Sequence, residues 1–291
     1  MNRRTFIGSS VAATLAAKFS AAAPLKPVSP IGVQLYTVRD AMKSDFEGTI
    51  AKVASIGYKE VEFAGYFDHP PKDIRAILDK NGLTAPSCHV PYSTVEKSWA
   101  EALDAAHVIG HKLIVNPWIE PEQRNSDDGW KRAAELFNKA GEAAHKAGIQ
   151  FAYHNHTFEF QPAKSLDGKL PYDYLLKQCD KNLVKMELDL CWISVAGKDP
   201  IKYFNENPGR FPAVHVKDIK QLPSPEDAPT ANPDRNMGFL TEVGSGIIPW
   251  KDIFASAGKA GIQHYFVEHD NPSDGFASIK KSYDFLHGLK Y

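Results

Sequence analysis

Eight short apolar or β-branched runs alternate with longer segments of helical period, and this alternation restricts the fold of the 291-residue chain more than any other feature. The runs are IGVQLYTV (31–38), KEVEFA (59–64), LTAPSCHV (83–90), KLIVNPW (112–118), IQFAYHNH (149–156), LVKMELDL (183–190), PAVHVKD (212–218) and HYFVEHD (264–270). The clearest helical segment is DDGWKRAAELFNKAGEAAHKAG (127–148), with Asp at its start, apolar residues at three/four spacing and Gly148 as a stop. Gly57, Gly82, Gly110 and Gly261 stand at the same point before other strands, where a helix ends in a left-handed cap. Eight such units predict an α/β chain folded as a (β/α)8 TIM barrel. An open doubly wound sheet is the alternative, but no G-x-G-x-x-G follows the first strand and no P-loop is present.

Barrel strands point alternate side chains inward, so the phase of the polar residues carries information. His154 and His156 share one phase of the fifth run, opposite Phe151 and Tyr153. Lys185, Glu187 and Asp189 share a phase of the sixth, His215 and Lys217 of the seventh, and Glu268 and Asp270 of the eighth. Gln34 with Tyr36, Glu60 with Glu62, Ser87 with His89, and Asn116 are read in the same scheme. The inward phase thus turns polar toward each strand's C-terminal end, where barrel active sites are built. Water-facing strand ends explain polarity, but not the preference for His, Asp, Glu and Asn.

Asp189, His215 and Glu268 end three successive strands in that phase, and His154 offers a fourth ligand. Two carboxylates and two imidazoles suit one divalent ion of the Mn²⁺, Co²⁺, Zn²⁺ or Fe²⁺ type better than Ca²⁺. Glu159 competes with His154 for the fourth position. A long Pro-rich connection, 220–250, falls between the last two strands and over the predicted mouth; it carries Glu242 as a lid residue.

The first residues, MNRRTFIGSSVAATLAAKFSAAAP, read as a twin-arginine-type signal peptide over 1–23: Arg3 and Arg4, an Ala-rich stretch too short to span a membrane, then small residues. The expectation is a periplasmic protein whose single barrel domain covers 24–291, with no membrane span once the leader is removed. A formal net charge of -1 and the lack of a basic run argue against nucleic acid as a partner. Three scattered cysteines argue against a disulfide framework.

YHNHTFEF, ELDLCWISVAG, GRFPAVHVKD, EVGSGIIPW and YFVEHD resemble the xylose-isomerase-like TIM-barrel superfamily, in its secreted sugar isomerase/epimerase branch, over roughly residues 30–288. The resemblance implies one divalent metal held at the ends of the fifth to eighth strands by Glu, Asp, His and Glu. Asp189, His215 and Glu268 match the last three, and His154 stands where the family has Glu. It also implies an isomerase or epimerase that abstracts a proton next to the carbonyl of a sugar or keto-sugar. His156, Glu159 and Glu268 are then the candidate bases and Lys217 a donor to a substrate oxygen. Glu62, His89, Asn116, Trp192 and Glu242 are candidate substrate contacts, and Trp118, Phe239 and Trp250 candidate faces for a sugar ring. The alternatives are a keto-sugar or inosose-type dehydratase, a 3-keto-glycoside lyase, a metal-dependent hydrolase, or a sugar-binding barrel without catalysis. A homo-oligomer is compatible with all of them.

Overall fold

The alternation closes on itself. In the computed structural model, which describes residues 25–222 and 237–291, eight parallel strands form one barrel. They are β1 (Ile31–Gln34), β2 (Glu60–Phe63), β3 (Thr84–His89), β4 (Leu113–Asn116), β5 (Gln150–His154), β6 (Val184–Asp189), β7 (Ala213–Val216) and β8 (His264–Val267). Each strand pairs with its sequence neighbours, and β8 closes on β1. The residues read as a leader, and 223–236 of the long connection, lie outside the described residues. Among the described residues no helix is long and apolar enough to cross a membrane.

The two phases separate as the pattern predicts. Val61, Phe63, Phe151, Tyr153, Met186, Leu188, Val214, Val216 and Val267 join the core between strands and helices. Leu113, Val115, Ala152, Ala213 and Phe266 form a second, small cluster that plugs the barrel. Phe266 fits because β1 carries Gly32 beside it: a Cβ there would lie 2.6 Å from the Phe266 ring. The polar inward residues sit above this plug, brought level by register: His154 lies opposite Glu187, Asp189 opposite His215, and Gln34 opposite Glu62.

Asn116 departs from the expected phase. Leu113 and Val115 of β4 point into the barrel, so Asn116 falls on the helix-facing side with Ile114. Its amide donates to the Val90 carbonyl at 3.1 Å. Strands are also shorter than the runs that predict them. The first stops at Gln34, whose side chain accepts from the Tyr36 amide and turns the chain into a 3-10 helix at Leu35–Val38. The helix predicted at 127–148 spans Gly129–Lys146; Asp128 stands at its start but pairs with Arg132 instead of capping it. Gly110 and Gly261 close their helices in the left-handed region, at φ +98 and +86. All three cysteines are buried and free. A two-residue antiparallel ladder, Asp218–Ile219 with Leu240–Thr241, brackets the long connection.

Candidate metal centre and active site

The sequence ELDLCW fixes one carboxylate outright. Asp189 ends β6 and caps the next helix, Leu190–Val195, its Oδ1 accepting from the Cys191 and Trp192 amides at 2.9 and 2.8 Å. Oδ1 is thereby committed, and Oδ2 is turned inward without a directed hydrogen bond. Around it stand Lys217 Nζ at 3.1 Å, His154 Nε2 at 3.8 Å and His215 Nδ1 at 4.0 Å. His215 Nδ1 lies 2.7 Å from Glu268 Oε2, and Lys217 Nζ also reaches that oxygen at 2.7 Å and Asp270 Oδ1 at 3.0 Å. Asp189, His215 and Glu268 present ligand atoms within 4.8 Å of one another.

Burial sets the electrostatics of this group. Burial works against protonated Lys217 and His215, but the carboxylates around each hold both well above their ordinary values. His89 is likewise pushed up to about 9 by Glu62 and Glu187 despite its burial. Burial would raise Glu268, yet Lys217 and His215 hold it below the usual carboxylate range. His154 and His156 are driven well below theirs, by burial first and then by neighbouring His215 and Lys217 respectively, so both are neutral bases. Burial raises Asp189, and raises Asp270 to about 6.

Five carboxyl groups (Glu62, Glu187, Asp189, Glu268 and Asp270) thus face three protonated bases (Lys217, His215 and His89) in one buried network. The inward-turned Asp189 Oδ2, the buried carboxylates around it and the mixed O/N donors fit a divalent cation.

Beside the network opens a cavity of about 590 Å³. Tyr36, Tyr92 and Trp118 line it with aromatic surface, and His89, His154, His156, Lys217, Glu268 and Asp270 with polar groups. Trp118 meets His156 edge-on at 5.0 Å. His156 Nδ1 and Asp270 Oδ2 are buried without hydrogen-bond partners.

Several expected contacts are placed elsewhere. Glu62 is fully buried beneath the cavity, held by Gln34 at 2.8 Å, Ser87 at 2.5 Å and His215 at 2.7 Å, so its oxygens are not offered to a substrate hydroxyl. Glu159 is not on the cavity wall either: a 3-10 turn, Phe158–Phe160, carries it under Tyr153 Oη at 2.7 Å and the His156 amide at 2.8 Å. There burial lifts its carboxyl to about 7, and it shapes the loop that presents His156. Glu242 pairs with Lys281 at 3.1 Å, away from the cavity. Trp192 is buried behind Lys217, whose ammonium lies 5.5 Å from its ring, and Trp250 donates to Asp218. Asp270 and Glu187 belong to the site but to none of the expected sets. Glu187 shares the inward phase of β6 and Asp270 continues that of β8 past its end, and that was the signal available.

A closed parallel barrel with a buried histidine–carboxylate centre beside a polar cavity at its C-terminal mouth defines the class. The chain belongs to the xylose isomerase-like TIM barrel family, whose profile matches residues 50–288. It is 24% identical over 269 residues to an inosose dehydratase of Lacticaseibacillus casei, covering 82% of this chain and 89% of that one. The structure of a sugar phosphate isomerase/epimerase from Parabacteroides distasonis superposes with a TM-score of 0.73 at 25% identity, covering 89% of this chain and 93% of that one. An IOLI protein with a bound zinc atom shares the fold, with a TM-score of 0.70 at 12% identity over 90% of this chain and 99% of the other.

Proposed function

We propose that the chain is a divalent-metal-dependent enzyme that removes a proton next to the carbonyl of a neutral sugar or keto-sugar. The observation that carries this reading is the imidazole of His156, its Nδ1 buried without a hydrogen-bond partner, on the wall of the cavity that also exposes Glu268 and Asp270. Asp189, His215 and Glu268 would hold the ion, with His154 beside them; the zinc in the IOLI protein supports that reading. When bound, the ion supplies polarisation of the substrate carbonyl.

His156 accepts the proton from carbon, and the electron pair stays on the substrate. Lys217, held between Asp189, Glu268 and Asp270, donates a hydrogen bond to a substrate oxygen. Trp118 and Tyr36 offer apolar faces to a sugar ring. Among the described residues, Lys217 is the cavity wall's one Lys or Arg, and three carboxylates already surround it. Such a wall favours an uncharged polyol over a phosphate ester.

Returning the proton gives isomerisation or epimerisation. Loss of a β-hydroxyl, protonated as it departs by Asp270, gives dehydration. The inosose dehydratase relatives favour this second outcome, and Asp270, raised to about 6, has the acidity for it.

Deuterium uptake tests the shared first step. Ketopentoses, ketohexoses and inososes are incubated in D₂O with the protein and Zn²⁺, Mn²⁺, Co²⁺ or Fe²⁺, then weighed by mass spectrometry. Uptake of one deuteron beside the carbonyl is expected, in recovered substrate or in product. No uptake with any sugar and any ion sinks the reading. The amino-terminal sequence adds the proposal that the enzyme is exported folded, by the twin-arginine route, to the periplasm.

A further inference from the structure

Glu187 is buried at the centre of three imidazoles. Its Oε2 lies 2.8 Å from His89 Nε2, 3.2 Å from His154 Nδ1 and 3.1 Å from His215 Nε2. Glu62 Oε2 stands behind it, 2.7 Å from His215 Nε2 and 3.3 Å from His89 Nε2. At these distances the ring N–H of each imidazole donates to the carboxylate oxygen, because lone pairs facing each other repel. The two nitrogens of an imidazole point away from each other, so the carboxylate that takes one N–H aims the other nitrogen. For His154 the aimed atom is Nε2, and for His215 it is Nδ1, which donates to Glu268 Oε2 at 2.7 Å until a cation displaces that proton. These are the two atoms that face Asp189 Oδ2, at 3.8 and 4.0 Å.

We propose that Glu187 is the positioning residue of the metal centre: it accepts the ring N–H of His154 and, with Glu62, that of His215, and so directs His154 Nε2 and His215 Nδ1 at the cation beside Asp189 and Glu268. This rests on the metal-dependent reading above. It assigns the cluster of His89, His154, Glu187 and His215 to the support of one ion and not to a second ion of its own. Glu187 Oε1 is buried without a hydrogen bond, so a role as direct ligand is the rival that the test must separate.

The full chain, labelled with ¹⁵N-histidine, is titrated with zinc and followed by calorimetry and by long-range ¹H–¹⁵N correlation of the rings. The expected result is one zinc per chain, with His154 protonated on Nδ1 before and after loading and His215 keeping its Nε2 proton in the loaded form. Glu187→Gln keeps shape and removes charge. It should still bind one zinc, about 10–100-fold more weakly, with His154 spread over both tautomers. Two zincs per chain, zinc on His154 Nδ1, unchanged affinity in Glu187→Gln, or no zinc bound by the native chain would each overturn the proposal. The native spectra decide even if the variant does not fold. The outcome is separable from that of the proposed reaction. Deuterium uptake with the wrong His154 tautomer removes this inference alone. The expected spectra without uptake remove the reaction alone.

Discussion

Replacing Asp218 with Asn changes one atom and should cost the fold several kcal/mol. The Asp218 carboxylate is buried just past β7 and accepts five N–H groups. Oδ2 takes those of Gly244 at 2.9 Å, Gly246 at 3.2 Å and the Trp250 indole at 2.9 Å. Oδ1 takes those of Ile219 at 2.9 Å and Ile248 at 3.3 Å. This explains the sequence GSGIIPW: a Cβ on Gly246 would lie 2.1 Å from Asp218 Oδ1 and 2.3 Å from the Ile219 carbonyl. The Asn amide nitrogen cannot accept, so wherever it settles at least two N–H groups lose their partner. Each orphaned N–H costs about 1–3 kcal/mol, and the remaining bonds weaken on losing the charge. The total is about 3–6 kcal/mol, a large share of the ~5–15 kcal/mol by which a folded protein is stable. Thermal melting should fall by on the order of 10 °C. Hydrogen exchange should show the Gly244, Gly246 and Ile248 amides opening first, since the 243–250 segment can detach before the barrel does. Gly246→Ala should behave alike. A Tm within about 2 °C of the native value, with these amides still protected, would refute the account.

Three further outcomes are expected. Asp189→Asn keeps the Oδ1 cap of the Leu190–Val195 helix but gives up the inward carboxylate oxygen, so zinc affinity measured by calorimetry should fall by at least about 100-fold while the far-UV circular dichroism is unchanged. His111, buried between the Ala85 carbonyl at 2.6 Å and Tyr66 Oη at 3.1 Å, is pushed down to about 4 by that burial, so the unfolded chain binds a proton that the fold refuses. Stability should therefore fall as pH drops from about 6.5 to 4, by up to about 3 kcal/mol, and denaturant melts of His111→Gln should show a flatter dependence in that window and no difference in slope below it. Replacing Arg3 and Arg4 together by Lys should stop periplasmic accumulation in cell fractionation; undiminished accumulation would remove the twin-arginine assignment.

Most of the architecture was legible because inward and outward phases are a local property of a strand. Phe151, Tyr153, Met186 and Leu188 against His154, Glu187 and Asp189 need no tertiary information to sort. The method fails where both faces are apolar. LIVN of β4 is buried throughout, so neither Leu113 nor Ile114 announces which side is the barrel interior, and Asn116 was read one residue out of phase. It has no force in loops. Glu242 and Glu159 both lie outside strands, and it is Lys281, Tyr153 and the His156 amide that determine where they point.

What no local pattern carries is which inward group meets which. Glu62 and His215 are 153 positions apart and share a hydrogen bond. Seen from its own strand, Glu62 is a polar residue free to bind a hydroxyl; seen across the barrel, its oxygens are taken. The same holds for Glu187, one layer below Asp189, which has the right phase for a ligand and the wrong depth to border the cavity. Depth divides the inward carboxylates by role. Those level with the cavity, Glu268 and Asp270, share Lys217 and keep an edge toward substrate. Those beneath it, Glu62 and Glu187, have imidazoles as their partners. A buried array of carboxylates, imidazoles and one ammonium is a poor way to stabilise a barrel, since apolar side chains of equal volume would do so at lower cost. Its place at the C-terminal mouth is accounted for by the metal-dependent reading proposed above.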